Sequence, residues 1–102
     1  MKQEFLNTIR TVKTKYESEG FVILGVFGSF ARGDETVNSD VDILYMCNEI
    51  SYKKYPGLKF FGIYDEVKAV LEKALGRRVD LADKNGLNDI GVKHILPEVQ
   101  YV

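Results

Sequence analysis

Two apolar runs, Phe21 to Phe27 and Val41 to Cys47, lie too close together in the chain to be joined as parallel neighbours. A parallel crossover normally takes a dozen or more residues and a full helix. Residues 30 to 38 instead hold Gly33, Asp34, Thr36 and Asn38, turn and capping types that leave room for only a short helical stretch starting at Ser29. The two runs are therefore expected to pair antiparallel, with the end of the first beside the start of the second. Phe21 to Phe27 is interrupted only by Gly25, the pattern of a strand covered on both sides.

The remaining elements follow from periodicity. Residues 2 to 19 place Phe5, Ile9, Val12 and Tyr16 at helical spacing, closed by Gly20. Residues Asn48 to Gly57 mix polar types with Pro56 and read as an exposed, mobile loop able to form one wall of a site. From Leu58 a helical period takes in Phe61, Val67, Val70, Leu71, Ala74 and Leu75, with Gly76 placed as a C-terminal cap. Val79 and Leu81 mark a third short strand within Arg77 to Asp83; a helical turn over Asn88 to Leu96 ends at Pro97, and Val99 to Val102 adds an edge strand. With 102 residues and 45% hydrophobic content, the expectation is one domain over residues 1–102 with one modest core. Its class is α/β of the α+β kind: a small mixed or antiparallel sheet with helices packed mainly on one face.

Composition narrows the function. A formal net charge of -1 provides no basic field for holding a polyanion, so tight nucleic-acid binding is not expected. Phe21 to Phe27 is far too short to span a bilayer, and Lys2 and Glu4 stand where a signal peptide would be apolar. No membrane partner and a cytoplasmic location are expected. Cys47 is the only cysteine and reads as a small hydrophobe at a strand end.

Asp40 and Asp42 sit two apart at the start of the second strand, on one face and about 7 Å apart at Cα. Two such carboxylates repel unless the face stays in water or cations are supplied. Mg²⁺, which prefers oxygen donors and phosphate co-ligands, suits them. Asp80, between Val79 and Leu81, is a third acid inside a short apolar strand. Gly28-Ser29 offers backbone amides and a hydroxyl to a phosphate oxygen; taken alone, it reads first as an ordinary strand-to-helix turn with Ser29 as N-cap. Arg32 can reach a phosphate or lie solvated. His94 has no histidine or cysteine partner and reads as a surface or packing residue, Asp83 and Asp89 as loop and cap residues, and Asp65 and Glu66 as solvated helix charges.

Gly28-Ser29, ten intervening residues, Asp40-x-Asp42 and then Asp80 together resemble the signature of the minimal nucleotidyltransferases of the DNA polymerase β superfamily. The likeness extends over nearly the whole chain. It implies that Asp40, Asp42 and Asp80 hold two Mg²⁺ ions and carry catalysis, with Asp80 helping to deprotonate the attacking hydroxyl. It implies that Gly28, Ser29 and Arg32 bind the nucleotide, with ATP as donor. Larger members carry further domains that grip their acceptors; a chain without them favours a protein acceptor. Similar minimal proteins are paired with a helical HEPN-type toxin and act as antitoxin by adding adenylate to a tyrosine. Two rivals stand beside this reading. One is a non-catalytic antitoxin that works by occlusion through Tyr52, Tyr55, Phe60 and Phe61 around Pro56. The other is transfer to a small molecule such as an aminoglycoside, with a second subunit completing the pocket.

Overall fold

The computed structural model describes residues 2–102. Helix α1, Gln3–Glu17, turns Ile9, Val12 and Tyr16 inward. Strand β1, Phe21–Phe27, leads into the five-residue helix α2, Gly28–Arg32, and strand β2, Val41–Cys47, follows the turn-rich segment. β1 and β2 are antiparallel, as the short connection requires, with Phe21 opposite Cys47 and Phe27 opposite Asp42. The register slips at Leu24, between the Ile23–Tyr45 and Gly25–Leu44 pairs, so β1 carries one extra residue as a β-bulge.

Helix α4, Phe60–Leu75, carries the chain from β2 to the parallel strand β3, Val79–Asp83, and β4, Gln100–Tyr101, pairs antiparallel with β1. The result is a mixed four-stranded sheet in the order β3-β2-β1-β4. α1 and α4 pack on each other over one face. There β2 contributes alternate residues, Val41, Ile43, Tyr45 and Cys47, to a cluster with Ile9, Phe21, Ile63, Val67 and Leu71. Each such aliphatic side chain stabilises the fold by about 1.5–3 kcal/mol on burial. The Tyr16 hydroxyl, carried into this core, donates to Glu66 at 2.7 Å. Burial, reinforced by that bond, pushes the phenol up to about 12. Glu66 is thus the partner of a buried hydroxyl rather than a merely solvated charge.

Three sequence expectations are corrected. Residues 48 to 57 are not an irregular loop: they contain helix α3, Glu49–Lys54, and enter a 3₁₀ turn at Gly57–Lys59. Asn48 starts α3 by accepting the Ile50 amide at 3.0 Å, Ser51 is buried, and Glu19 ties its end through Lys54 at 2.8 Å and Tyr55 at 2.9 Å. Capping and side-chain bonds, not an apolar period, make this helix. It follows the Cys47 end of β2, away from Asp42, and lines no part of the Asp42 cleft.

Helix α4 also has a different phase. It begins at Phe60 and buries Ile63, Val67 and Leu71, with Phe60, Tyr64 and Val70 packed beside them; Leu58 and Phe61 are 84% and 59% exposed. The aromatic set around Pro56 divides accordingly, since Tyr52 and Phe61 are exposed while Tyr55 and Phe60 pack against the core. Finally, β3 is an edge strand with only Val79 fully buried, so Asp80 is exposed rather than enclosed.

Candidate active site

The pleat that sends Val41 and Ile43 into the core sends Asp42 to the opposite face. Register then does the rest. Asp42 lies beside Asp80 across the parallel β2–β3 ladder and beside Phe27 across the β1–β2 ladder, which brings Gly28 over it. Gly28 has φ +71°, a left-handed conformation costly to any residue with a side chain, and a Cβ there would run into the Asp42 carboxylate. Two independent constraints therefore demand glycine at this position.

Asp40 is set by the loop before β2. Arg77 places its guanidinium 5.0 Å from the centre of the Phe30 ring and donates to the carbonyls of Thr36, Val37 and Ser39, at 3.2, 3.4 and 3.4 Å. The Val41 amide donates to the Arg78 carbonyl at 2.9 Å. Arg78 in turn reaches Asp40 Oδ1 with Nε at 3.1 Å.

All six residues singled out by the sequence, Gly28, Ser29, Arg32, Asp40, Asp42 and Asp80, line one open cleft of about 630 Å³. Ser29 is the second residue of α2, whose N-cap position is Phe27, so the plain capping reading of Ser29 does not hold. Arg32 is half-exposed but not free: its Nε reaches Asp34 at 3.2 Å and its Nη1 reaches both oxygens of Glu98 at 3.2 and 3.3 Å. His94, exposed on α5 (Asp89–Ile95), and Ile95 form the opposite lip with Glu98. Sequence reasoning gave Glu98 no role. It is the residue that the Gly28 amide meets, donating to Glu98 Oε1 at 2.9 Å.

Electrostatically the cleft is short of positive charge at its floor. Burial, then the neighbouring Asp80 and Asp40, push the Asp42 carboxyl above the usual carboxylate range; Arg32 opposes this and Glu98 adds to it. Among the described residues, no three His, Cys, Asp or Glu side chains already stand as a finished chelate. Asp40 is engaged by Arg78 at 3.1 Å. The donor set offered by Asp40, Asp42 and Asp80 is nevertheless all oxygen. These residues fit Mg²⁺.

An antiparallel strand pair with a glycine turn over paired aspartates, and a third aspartate on the adjacent parallel strand, defines the nucleotidyltransferase architecture. The family profile described as nucleotidyltransferase domain matches residues 8–101, and the chain belongs to that family of enzymes. It is similar to the protein adenylyltransferase MntA of Thermococcus cleftensis, 39% identical over 102 residues, 97% of this chain and 94% of that one. A solved structure carrying the provisional description minimal nucleotidyltransferase superposes with a TM-score of 0.75 at 30% identity, covering 100% of this chain and 97% of the other. A toxin–antitoxin structure solved with AMP-PNP shares the fold, with a TM-score of 0.63 at 20% identity over 98% of this chain and 72% of that chain.

Proposed function

We propose that the cleft binds ATP with two Mg²⁺ ions and transfers AMP to a hydroxyl of a partner protein, a tyrosine of a HEPN-type toxin, so that the chain acts as a cytoplasmic antitoxin. One observation carries this reading: Gly28, Ser29 and Arg32 share one cleft with the carboxylates of Asp40, Asp42 and Asp80, brought together from three separate chain segments. The name of the Thermococcus cleftensis relative supports adenylate transfer to protein, and the AMP-PNP-bound neighbour supports the toxin–antitoxin setting. No helix among the described residues is long and apolar enough to cross a membrane.

In this reading Gly28, Ser29 and Arg32 hold the outer phosphates, while Asp40 and Asp42 hold the metal ions and Asp80 completes one metal site. Mg²⁺ bound there would neutralise the triphosphate and stabilise the entering and leaving oxygens. The acceptor oxygen attacks the α-phosphorus in line, its proton passes to Asp80, the bridging bond to the β-phosphate breaks, and pyrophosphate leaves. No covalent enzyme intermediate forms.

The test supplies host lysate with ATP labelled at the α-phosphate. Labelling of one protein band is expected, absent with γ-labelled ATP and reduced at least a hundredfold with Asp42→Ala. A second reading, neutralisation by occlusion, is favoured by the exposed Tyr52, Leu58 and Phe61 remote from the cleft. If Asp42→Ala neutralises the partner as well as wild type and no label transfers, occlusion replaces transfer.

A further inference from the structure

Glu98 sits where an anionic ligand has most to gain. Its carboxylate accepts the Gly28 amide at 2.9 Å and takes Arg32 Nη1 at 3.2 and 3.3 Å. A backbone amide and a guanidinium are the same charge-assisted donors that recognise phosphate. The carboxylate and a phosphate oxygen cannot use them together.

The segment bearing Glu98 is fixed on its far side. Val99 is buried, its amide donates to the Leu96 carbonyl at 3.3 Å, and the Val102 amide donates to the Leu24 carbonyl at 3.0 Å. Lys13 Nζ adds a bond to the Val102 carbonyl at 2.7 Å. The Gln100 carbonyl and the Val99 side chain lie so close to Gly25 that a Cβ there would overlap them, so the pairing of β4 beside β1 needs glycine at this position. Pro97 restricts the chain on the near side. With the backbone held, rotation of the Glu98 side chain alone releases both donors, and its 28% exposure gives it solvent to turn into.

We propose that Glu98 is an internal competitor for the phosphate-binding donors: it occupies the Gly28 amide and Arg32 until a di- or triphosphate displaces it, and thereby sets the affinity of the cleft for nucleotide and for pyrophosphate. The proposal rests on the nucleotide reading of the cleft. The same competition acts on the way out, since Glu98 regains its partners as pyrophosphate leaves. Apparent affinity is lowered by the fraction of molecules in which the donors are free, so removing the competitor tightens binding without adding a contact.

The test follows the Gly28 amide by ¹⁵N NMR in the full chain, during titration with sodium pyrophosphate and, separately, with α,β-methylene ATP and Mg²⁺. Wild type is compared with Glu98→Gln, Glu98→Ala and Arg32→Ala. Without ligand, the Gly28 resonance is expected to move in Glu98→Ala as it loses its carboxylate partner. Both Glu98 variants should then bind pyrophosphate and the ATP analogue about three- to tenfold more tightly, whereas Arg32→Ala should bind both more weakly. Unchanged or weaker binding in folded Glu98 variants, with wild type still binding, overturns the competitor and leaves the nucleotide reading intact. No binding by wild type or any folded variant overturns both.

Discussion

The two faces of β2 show how one strand divides stability from chemistry. Val41, Ile43 and Tyr45 stack into hydrocarbon under α1 and α4, and the ring of Tyr45 lies 4.5 Å from that of Phe21. One residue out of phase, Asp42 faces Asp80 across the ladder with Asp40 close by, and its carboxyl is harder to ionise than an ordinary one. The core face therefore contributes the binding energy of the fold, and the cleft face draws on it to hold like charges together. Leu44, on the same face as Asp42, is itself fully buried, so the contrast is confined to the cleft end of the strand: substitutions at Ile43 and at Asp42 should have opposite signs.

The largest stability effect is expected on the core face. Ile43 is fully buried and pairs in register with Val26 and Leu81. Ile43→Ala should cost about 2–5 kcal/mol, combining lost transfer energy with the cavity left behind. For a chain of this size each kcal/mol shifts the melting temperature by roughly 4–8 °C, so calorimetry should show a large drop. A loss below about 1 kcal/mol would mean that the core repacks freely and the division between faces is weaker than drawn.

A smaller effect of opposite sign is expected next door. Asp42→Asn removes a charge opposed directly across the ladder and should stabilise the chain in EDTA at neutral pH by about 0.2–1 kcal/mol. The sign follows from the raised carboxyl. Its folded-state pKa lies above the unfolded value, so ionisation costs stability at neutral pH, and that cost disappears as pH falls through the folded pKa. Urea melts should therefore show the advantage of Asp42→Asn shrinking under acidic conditions. If the variant is less stable than wild type at neutral pH, the Asp42 carboxylate supports the fold rather than strains it.

How much of this was legible in the sequence depends on how local each signal was. The antiparallel β1–β2 pair and the convergence of Gly28-Ser29 on Asp40 and Asp42 followed from connection length and the two-residue period, which act within about twenty residues. Asp80 was flagged because an acid interrupted an apolar strand, although its strand proves to be an exposed edge. Helix α3 was missed because Asn48 and Glu19 build it through specific hydrogen bonds that leave no periodic trace. The phase of α4 was misread because Leu58 and Phe61 extend the apolar pattern past the point where the core ends. Glu98 was invisible for a different reason. It meets Gly28 across a separation of seventy residues, and only the pairing of β4 beside Gly25 brings the two together.

The Arg78–Asp40 pair offers the finest test of the contrast, because it is the cleft face's own partial answer to its charge. Arg78 is 79% exposed and Asp40 is 33% exposed, so water screens the pair and its net contribution to folding should be small, about 0–1 kcal/mol. Arg78→Gln should accordingly change stability by less than about 0.5 kcal/mol. The guanidinium nevertheless competes with any cation for Asp40, so Mg²⁺ titration followed by amide shifts should show about two- to fivefold tighter binding in the variant. Together the two readouts distinguish a competing cation from a structural brace. Weaker Mg²⁺ binding, or a stability loss above about 1 kcal/mol, would mean that Arg78 holds Asp40 in place for the site, and the carboxylate face would then owe its geometry to a surface ion pair as well as to the strand beneath it.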